Sequence, residues 1–388
     1  MSDWKQVTLG DQLTRVRRKV AVEDGATYPA VSVQMYGRGL GEKEPFVGGV
    51  SKYAALNMVR ENDVVLRTIT AFEAPAGVAR TEHDGTHVSG VFITYEVDQI
   101  VLPEFLRLFF QTPAFWDEMQ NRASGTVLRR KTISDASFRD IPFALPPLPV
   151  QERIINILEA VDNQLTALEA EVDAVVKVRL GLIGRSADTE QVPLESLGVV
   201  SQGKGLPKES QGKQTGKISW YKIADMTRPQ NMFGYTLADT RLTPSEMAEI
   251  GGVVVEAGAV TFPRVGAAIL TEKKRIMDTP GALDENHLVI TPDKATSSEY
   301  LLAVMESFAL SSLVRPGAVP SLNMGLIRST KVPWSWMENK SLGTVLGALR
   351  AESRVLAAEV ASLRATRANL LSGLLDHTID IESAKSEV

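Results

Sequence analysis

The stretch that decides the fold of this chain is residues 145–184, LPPLPVQERIINILEAVDNQLTALEAEVDAVVKVRLGLIG. Its opening prolines favour extended backbone, so a helix is expected only after them. Beyond them, apolar residues recur at alternating intervals of about three and four, which is the period of a coiled-coil seam. These seam residues are Leu158, Val161, Leu165, Leu168, Val172, Val175 and Leu182. The helix needs a partner, because a single helix cannot bury such a stripe.

A second stripe near the carboxyl end supplies that partner. Its apolar members are Leu346, Leu349, Leu356, Val360, Leu363 and Leu370. Leu346, Leu356, Val360 and Leu370 each lie 188 residues after a member of the first stripe. Arg179 interrupts the first stripe, and Ser353 and Arg367 weaken the second. We therefore expect the two helices to pair with each other in antiparallel orientation.

The globular segments before the two helices also resemble each other, which indicates an internal repeat. ENDVVLRT (61–68) corresponds to EAGAVTFPR (256–264), and LPEFLRLFF (102–110) corresponds to SEYLLAVME (298–306). The predicted fold class is α+β: two similar mixed α/β globular domains separated by an antiparallel coiled coil of two long helices, with an internal pseudo-two-fold repeat. The predicted segments are domain 1 (1–147), the first long spacer helix (148–184), a linker (185–192), domain 2 (193–336), the second long spacer helix (337–376) and a flexible carboxyl-terminal tail (377–388).

The composition restricts the classes of function. The chain has no cysteine and only 4 histidines, so disulfides and thiolate nucleophiles are excluded and a metal site is not expected. No apolar run is long enough to cross a membrane, and the first residues lack the pattern of a secretory signal. We expect a cytoplasmic protein. Its net charge of −5 does not favour nucleic-acid binding, although local basic clusters can coexist with that balance.

A search for catalytic motifs finds none that is complete. The segment Gly212–Ile218 has three residues between its glycines and an isoleucine after the lysine, so it does not match a phosphate-binding loop. Glu272-Lys273-Lys274 contains half of a nuclease motif, but no suitably placed aspartate precedes it. We therefore predict a non-catalytic protein that binds no cofactor.

The string from Ile141 to Ile154, IPFALPPLPVQERI, followed by Leu158 and Asp162, resembles the end of a target-recognition domain in the specificity subunits of type I restriction–modification systems. The duplicated domain–helix layout and the length of the chain also match that family. The second copy departs from the pattern: Val332-Pro333-Trp334-Ser335-Trp336 stands where the proline pair would lie, and Asn339-Lys340 where Gln-Glu would. The start of the second helix is therefore left open.

This resemblance implies a function in DNA recognition. Each globular domain would be a target-recognition domain that reads one half of a split, asymmetric site in double-stranded DNA, and the paired helices would set the unread gap. The helices would also dock two adenine-N6 methyltransferase subunits, and a restriction/translocase subunit can join the complex. The partner subunits would use S-adenosylmethionine, with ATP and Mg when the restriction/translocase subunit is present.

Candidate DNA contacts are the basic clusters in polar loops, because Arg and Lys are the expected contacts to phosphates and base edges. They are Arg129, Arg130 and Lys131 in domain 1, and Lys204, Lys208, Lys213, Lys217, Lys273, Lys274 and Arg275 in domain 2. The candidate docking residues for a methyltransferase are Gln151, Glu152 and Arg153 at the start of the first helix. Trp220 and Tyr221 are predicted to belong to the core.

Two other classes of function remain open at this point. The acidic balance would suit a coiled-coil scaffold or adaptor without any nucleic-acid role, and such a protein would have no affinity for DNA even beside a methyltransferase. A self-contained DNA enzyme would instead have to bind S-adenosylmethionine, for which the sequence has no glycine-rich loop.

Overall fold

The computed structural model describes residues 4–127, 130–183, 189–314 and 319–381. The chain divides into two compact units. Unit 1 comprises residues 1–166 and 361–388, and unit 2 comprises residues 167–360. The boundaries fall inside the two long helices, so each unit contains one mixed α/β domain and a segment of both helices.

Short strands and helices build the globular part of unit 1, in the order β1 (Lys5–Thr8), α1 (Leu9–Gln12), β2 (Leu13–Val16), β3 (Lys19–Ala21), β4 (Thr27–Val33), β5 (Leu40–Val47), β6 (Ala55–Met58), β7 (Val64–Arg67), β8 (Ala76–Val78), β9 (His87–Val88), β10 (Phe92–Val97), α2 (Pro103–Phe109), α3 (Pro113–Arg122), α4 (Asp135–Arg139) and β11 (Pro142–Leu145). The first long helix, α5, follows at Leu148–Ile183. It begins after the proline pair, as the sequence predicts.

The globular part of unit 2 has a similar succession, β12 (Glu190–Pro193), β13 (Gly198–Gln202), β14 (Ile218–Tyr221), β15 (Thr240–Leu242), α6 (Pro244–Glu249), β16 (Val260–Pro263), β17 (Arg275–Ile276), β18 (Gly281–Leu283), β19 (His287–Pro292), α7 (Ser298–Ser307), α8 (Met324–Ser329) and β20 (Lys331–Trp334). The second long helix, α9, spans Asn339–Leu375.

Two of the three sheets have the same number and order of strands in both units, and the third sheet has five strands in unit 1 and three in unit 2. In unit 1 the first and last strands pair as β1-β11, four antiparallel strands follow the order β2-β10-β7-β8, and a third sheet has the order β3-β6-β9-β4-β5. In unit 2 the matching sheets are β12-β20, β13-β19-β16-β17 and β15-β14-β18. The third sheet of each unit contains one parallel pair, β4 with β9 and β14 with β18. The two domains therefore share the strand order of two sheets and one parallel pair in the third.

Strand β7 lies between two hydrophobic clusters of unit 1 and explains why ENDVVLRT reads as a buried strand. Val64 and Leu66 belong to the main cluster, whereas Val65 belongs to a smaller one with Val31 and Val33. Successive side chains of a strand point to opposite faces, so a continuous apolar run can fill two cores at once.

Both long helices contribute to the core of each domain. In unit 1, Leu158 of α5 shares the main cluster with Leu371 and Leu374 of α9. Asp162, one turn further along α5, pairs with Arg367, about one turn earlier in α9. The two helix segments of unit 1 therefore run antiparallel. In unit 2, Ile183 of α5 and Leu346 of α9 lie in one cluster.

The start of each long helix is tied to its domain by one buried amide side chain. The Gln151 carbonyl accepts a hydrogen bond from the Leu102 amide at 2.8 Å, just before α2. In unit 2 the Asn339 carbonyl accepts from the Ser297 amide at 3.1 Å, just before α7. Asn339 thus makes the same kind of bond as Gln151, and α9 begins at Asn339 although it lacks the proline pair.

The arginines that interrupt the two stripes also contact the domains. Arg367 donates to the Gln111 side chain at 3.1 Å in unit 1, in addition to its pair with Asp162. Arg179 forms an ion pair with Glu306, the last but one residue of α7, in unit 2. Each of these two arginines interrupts the apolar stripe because its side chain makes a polar contact with the domain of its own unit.

The predicted seam residues are all buried or half-buried. The buried ones are Leu158, Leu165, Leu168, Leu346, Leu356 and Val360. The half-buried ones are Val161, Val172, Val175, Leu182, Leu349, Leu363 and Leu370. Ser353 is fully buried as well, and its hydroxyl donates to the Leu349 carbonyl at 3.0 Å, which satisfies the polar group within the helix.

Candidate nucleic-acid interface

The loop after α3 in unit 1 contains the first predicted DNA contacts. Its base is closed by two hydrogen bonds between Ser124 and Thr132, at 2.8 and 2.9 Å. Arg130 is exposed and Lys131 is half-buried, whereas Arg129 lies outside the described residues. The Arg130 guanidinium is accessible to a ligand on this surface.

The turn after β7 adjoins this loop and was not identified from the sequence. The Ala71 amide donates to the Lys131 carbonyl at 3.1 Å, and the Ile133 amide donates to the Thr68 carbonyl at 2.9 Å. Within the turn, Thr70 and Ala74 have left-handed backbone, with φ of 56° and 47°. Non-glycine residues adopt this conformation at a cost and are enriched at functional sites. Threonine and alanine carry no sequence signal for it, so the pattern could not predict the turn.

Unit 2 has a similar arrangement, in which the turn after β16 lies beside the segment before α8. Val265, in the turn after β16, forms an isolated β-bridge with Ser321, and the Leu322 amide donates to the Arg264 carbonyl at 2.9 Å. The corresponding bridge in unit 1 joins Ile69 and Thr132. Both domains therefore present a turn and a loop side by side, with different side chains on each.

The lysine-rich segment of unit 2 lies between β13 and β14. Lys204, Lys208 and Lys217 are exposed, and Lys213 is half-buried and lies 3.6 Å from Glu246. The Thr215 hydroxyl and the Thr243 amide hydrogen-bond to Glu246 and lower the pKa of this carboxyl to about 2. Glu246 is therefore ionised at neutral pH and fastens the segment to α6. Three of the four predicted lysines are free to meet a ligand.

The third predicted cluster consists of Lys273, Lys274 and Arg275, and the charged groups of Lys274 and Arg275 are bonded within the domain. Lys274 is only 2% exposed, and its ammonium donates to Glu272 at 2.9 Å and to the Phe308 carbonyl at 2.8 Å. Arg275 donates to two backbone carbonyls, and burial lowers the pKa of its guanidinium. Lys273 is half-buried. Because the Lys274 ammonium is buried and bonded inside the domain, and the Arg275 guanidinium is bonded to backbone carbonyls, we leave both residues out of the candidate interface. Trp220 and Tyr221 lie in the core, as predicted.

The predicted docking residues at the start of α5 differ in accessibility. Gln151 is fully buried, and its amide group also donates to the Ile100 and Pro146 carbonyls at 3.0 and 2.9 Å. Its role is to join the helix to the domain, so it is not accessible to a partner. Arg153 is half-buried and donates to the Ile381 carbonyl at 3.0 Å. Glu152 is exposed.

Among the residues that the structure describes, no group of three potential ligands could hold a metal ion. His83 and His87, which have helical metal-pair spacing, are engaged separately with the Arg80 amide and the Pro29 carbonyl. None of the described helices is long and apolar enough to span a membrane.

A cleft of about 1080 Å³ in unit 1 was also missed from the sequence. Arg38, Arg80, Arg107 and Arg367 line it, and each comes from a different segment of the chain. A scan for local basic runs cannot find such a group, because only the fold brings the four arginines to one surface.

Comparison with known proteins agrees with this geometry. The family model of the type I restriction modification DNA specificity domain matches residues 1–178. No curated protein matches the chain. The S subunit of a type I restriction–modification system from M. genitalium has a TM-score of 0.57 at 15% identity, over 96% of each chain.

A second solved structure comes from work on complex assembly and conformational transition of the type I R-M system. It has a TM-score of 0.55 at 13% identity and covers 96% of this chain and 97% of its own. At these identities the likeness shows the fold. Residues 1–178 thus match the family model of the type I restriction modification DNA specificity domain, and over almost its whole length the chain shares the fold of these two solved structures.

Proposed function

We propose that the chain is the DNA sequence-specificity subunit of a type I restriction–modification complex. Each globular domain reads one half of a bipartite site, and the paired long helices set the unread gap between the halves. The observation that carries this proposal is that the two domains have the same strand order in two of their sheets and that each is followed by a long helix. Two similar domains, each followed by a long helix, supply the two reading domains and the spacer that such a protein needs.

The side chains of the two candidate interfaces support an asymmetric site. Domain 1 offers Arg130 and Lys131 beside a strained turn, whereas domain 2 offers Lys204, Lys208 and Lys217 on a different loop. Base edges are read by specific side chains, so two domains that present different side chains read different sequences. The site is therefore a non-palindromic pair of half-sites.

The chemistry of the complex belongs to other chains in this proposal. The long helices dock two adenine-N6 methyltransferase subunits that use S-adenosylmethionine, and a restriction/translocase subunit that uses ATP and Mg can join. A chain with a net charge of −5 has a weak overall attraction for DNA. The methyltransferase subunits therefore supply phosphate contacts that strengthen binding.

An exchange of domain 2 tests this proposal. Residues 193–333 are replaced by the second domain of another subunit of the family, and methylated adenines are mapped in cells that express the chain with its methyltransferase. One half of the methylated motif should change while the other half and the gap stay the same. The matched control exchanges residues 1–144 and should change the opposite half. A change of both halves in either chimera contradicts the two-reader proposal, and so does a methylation pattern that is independent of this chain.

A further inference from the structure

The cleft of unit 1 is formed by four separate segments. Its walls are the connection between β4 and β5, the segment from Val78 to His83, the region from the end of α2 into α3, and one stretch of α9 from Arg367 to Ser372. Its volume of about 1080 Å³ is at the upper end of the range for sites that enclose small molecules. A cleft of this size can hold one or two elongated groups of a ligand, and it is too small to receive the side of a DNA duplex.

Four arginines and one carboxylate, that of Glu82, line the cleft, so positive charges outnumber negative ones in its lining. Arg107 pairs with Glu104 at 3.3 Å, and Arg367 pairs with Asp162. Arg38 and Arg80 are exposed and form no ion pair with any residue that the structure describes. The Nε atom of Arg107 is buried without a hydrogen-bond partner, and burial together with the nearby Arg80 charge lowers the pKa of Arg107. An anion in the cleft would relieve this repulsion.

An aromatic pair forms another part of the lining. The rings of Tyr36 and Trp116 meet edge to face with centroids 5.1 Å apart, and the Trp116 indole donates to the Phe110 carbonyl at 2.8 Å. Tyr36 has left-handed backbone, with φ of 56°. Any Cβ on the following Gly37 would lie 2.2 Å from the Phe110 carbonyl oxygen, so this turn is held against α2 by close backbone contact. Tyr36 is half-buried, and its ring contacts Trp116, which packs against the main hydrophobic cluster of unit 1.

Uncharged hydrogen-bonding groups complete the lining. The exposed amide side chains of Gln34, in the connection between β4 and β5, and Asn369, in α9, offer both donors and acceptors. Guanidinium groups bind phosphate oxygens, aromatic rings stack on bases, and amide groups bond to base edges. The cleft combines all three kinds of group within one site.

We propose that this cleft binds a nucleotide, with its phosphate on Arg38 and Arg80 and its base against Tyr36 and Trp116. The nucleotide is either one residue of a DNA strand that has left the helical stack or a free nucleoside phosphate. Only the first source rests on the proposed function. An acidic peptide would engage the arginines but would leave the aromatic pair without a role, so the lining favours a nucleotide.

The site is a property of unit 1. By the alignment of α2 with α7, the residue of unit 2 that corresponds to Arg107 is Leu302, which is buried in the core. Unit 2 therefore lacks the arginine that this position adds to the lining of the cleft in unit 1. The nucleotide in the cleft therefore adds a contact on one side of the bipartite site.

Binding to the purified full-length chain tests the proposal. Fluorescence anisotropy of a labelled short single strand is measured at low salt, with ATP, dAMP, a duplex without the target site and a poly-glutamate peptide as competitors. The double variant R38Q/R80Q should lose roughly tenfold or more in affinity, because each guanidinium contributes a charge-assisted contact. W116L should lose about tenfold through the missing stacking surface, provided that its melting curve shows a folded protein. The control K52Q removes an exposed charge outside the cleft and should bind like the wild type.

The competitors identify the source of the ligand. Displacement by ATP or dAMP supports a free nucleotide, and displacement by single strands alone supports a strand-derived one. Equal affinity of R38Q/R80Q and wild type overturns the proposal, and so does efficient displacement by poly-glutamate together with unchanged binding by W116L. Because this assay uses the chain without a methyltransferase, its failure is separate from a failure of the methylation experiment.

Discussion

Replacing Gln151 by methionine should destabilise unit 1 and leave unit 2 unchanged. The Gln151 side chain is fully buried and makes three hydrogen bonds, to the Leu102 amide at 2.8 Å and to the Ile100 and Pro146 carbonyls at 3.0 and 2.9 Å. Methionine has a similar length and shape but cannot make these bonds. The change therefore isolates hydrogen bonding from packing.

The size of the effect depends on which of the three hydrogen-bond partners of Gln151 can be hydrated in the variant. Ile100 is 53% exposed, so its carbonyl can be hydrated after the change. Pro146 is buried and Leu102 is half-buried, so their carbonyl and amide are poorly replaced by solvent. An unsatisfied buried group costs about 1–3 kcal/mol. For two such groups, less the lower desolvation cost of methionine, we expect a loss of about 3 kcal/mol in the free energy of unfolding of unit 1.

Hydrogen–deuterium exchange with mass spectrometry measures this loss locally. Peptides that cover the start of α2 and the start of α5 should lose protection, whereas peptides that cover α7 and α9 residues of unit 2 should keep theirs. The control E152Q alters the adjacent exposed residue and should change stability by less than about 0.5 kcal/mol. The unit 2 counterpart, N339L, should show the reverse distribution.

Two results would refute this reasoning. A loss below about 0.5 kcal/mol in Q151M would mean that the three bonds are replaced by solvent and do not hold the helix to the domain. Equal loss of protection in both units would mean that the change acts through the whole chain and not through the local contact.

Three further predictions concern the charged groups and the long helices. The carboxyl of Glu246 should titrate near pH 2, below its usual pKa of 4.5, so the stability that it adds to the lysine-rich segment is present above pH 4.5 and is lost as the pH falls toward 2. A T215V variant should move the NMR titration midpoint of Glu246 upward, and an unchanged midpoint would contradict the hydrogen bond from Thr215 as the cause of the low pKa. Burial raises the pKa of Glu306 and Arg179 opposes this effect, so R179M should cost about 3–5 kcal/mol in urea unfolding and R179M/E306L should recover most of it; a double variant no more stable than the single one would contradict this. Insertion of one heptad after Thr166 and another after Val360 should lengthen the proposed unread gap by about three base pairs, since seven helical residues add about 10 Å; an unchanged gap in the methylated motif would contradict the spacer function.

The sequence predicts the long helices well because their signal is periodic and local. The seam spacing and the proline pair place α5 at Leu148–Ile183, and the offset between the stripes places its counterpart. The same repeat predicts that the two domains are alike, and two of the three sheets have the same strand order in both, whereas the third has five strands in unit 1 and three in unit 2. Such patterns survive in a single sequence because each turn of a helix and each strand must present its apolar residues to a core.

Isolated polar residues were harder to interpret, since their roles depend on a partner that is distant in sequence. Gln151 looked like a docking residue because it is polar and lies at a helix start, but it is buried against the loop before α2. Lys274 looked like a DNA contact in a basic run, but Glu272 and the Phe308 carbonyl bind its ammonium. Arg179 looked like a flaw in the stripe and is an ion-pair partner of Glu306.

The sequence by itself determined the two-fold repetition of domain and helix and, through the motif at the first helix start, the kind of family to expect. Both depend on residues that are neighbours along the chain. Only the tertiary structure decided which charges are free to meet a ligand, because burial and pairing are set by segments far apart in sequence. The four arginines of the unit 1 cleft come from the β4–β5 connection, the segment before His83, α2 and α9, and folding alone places them together.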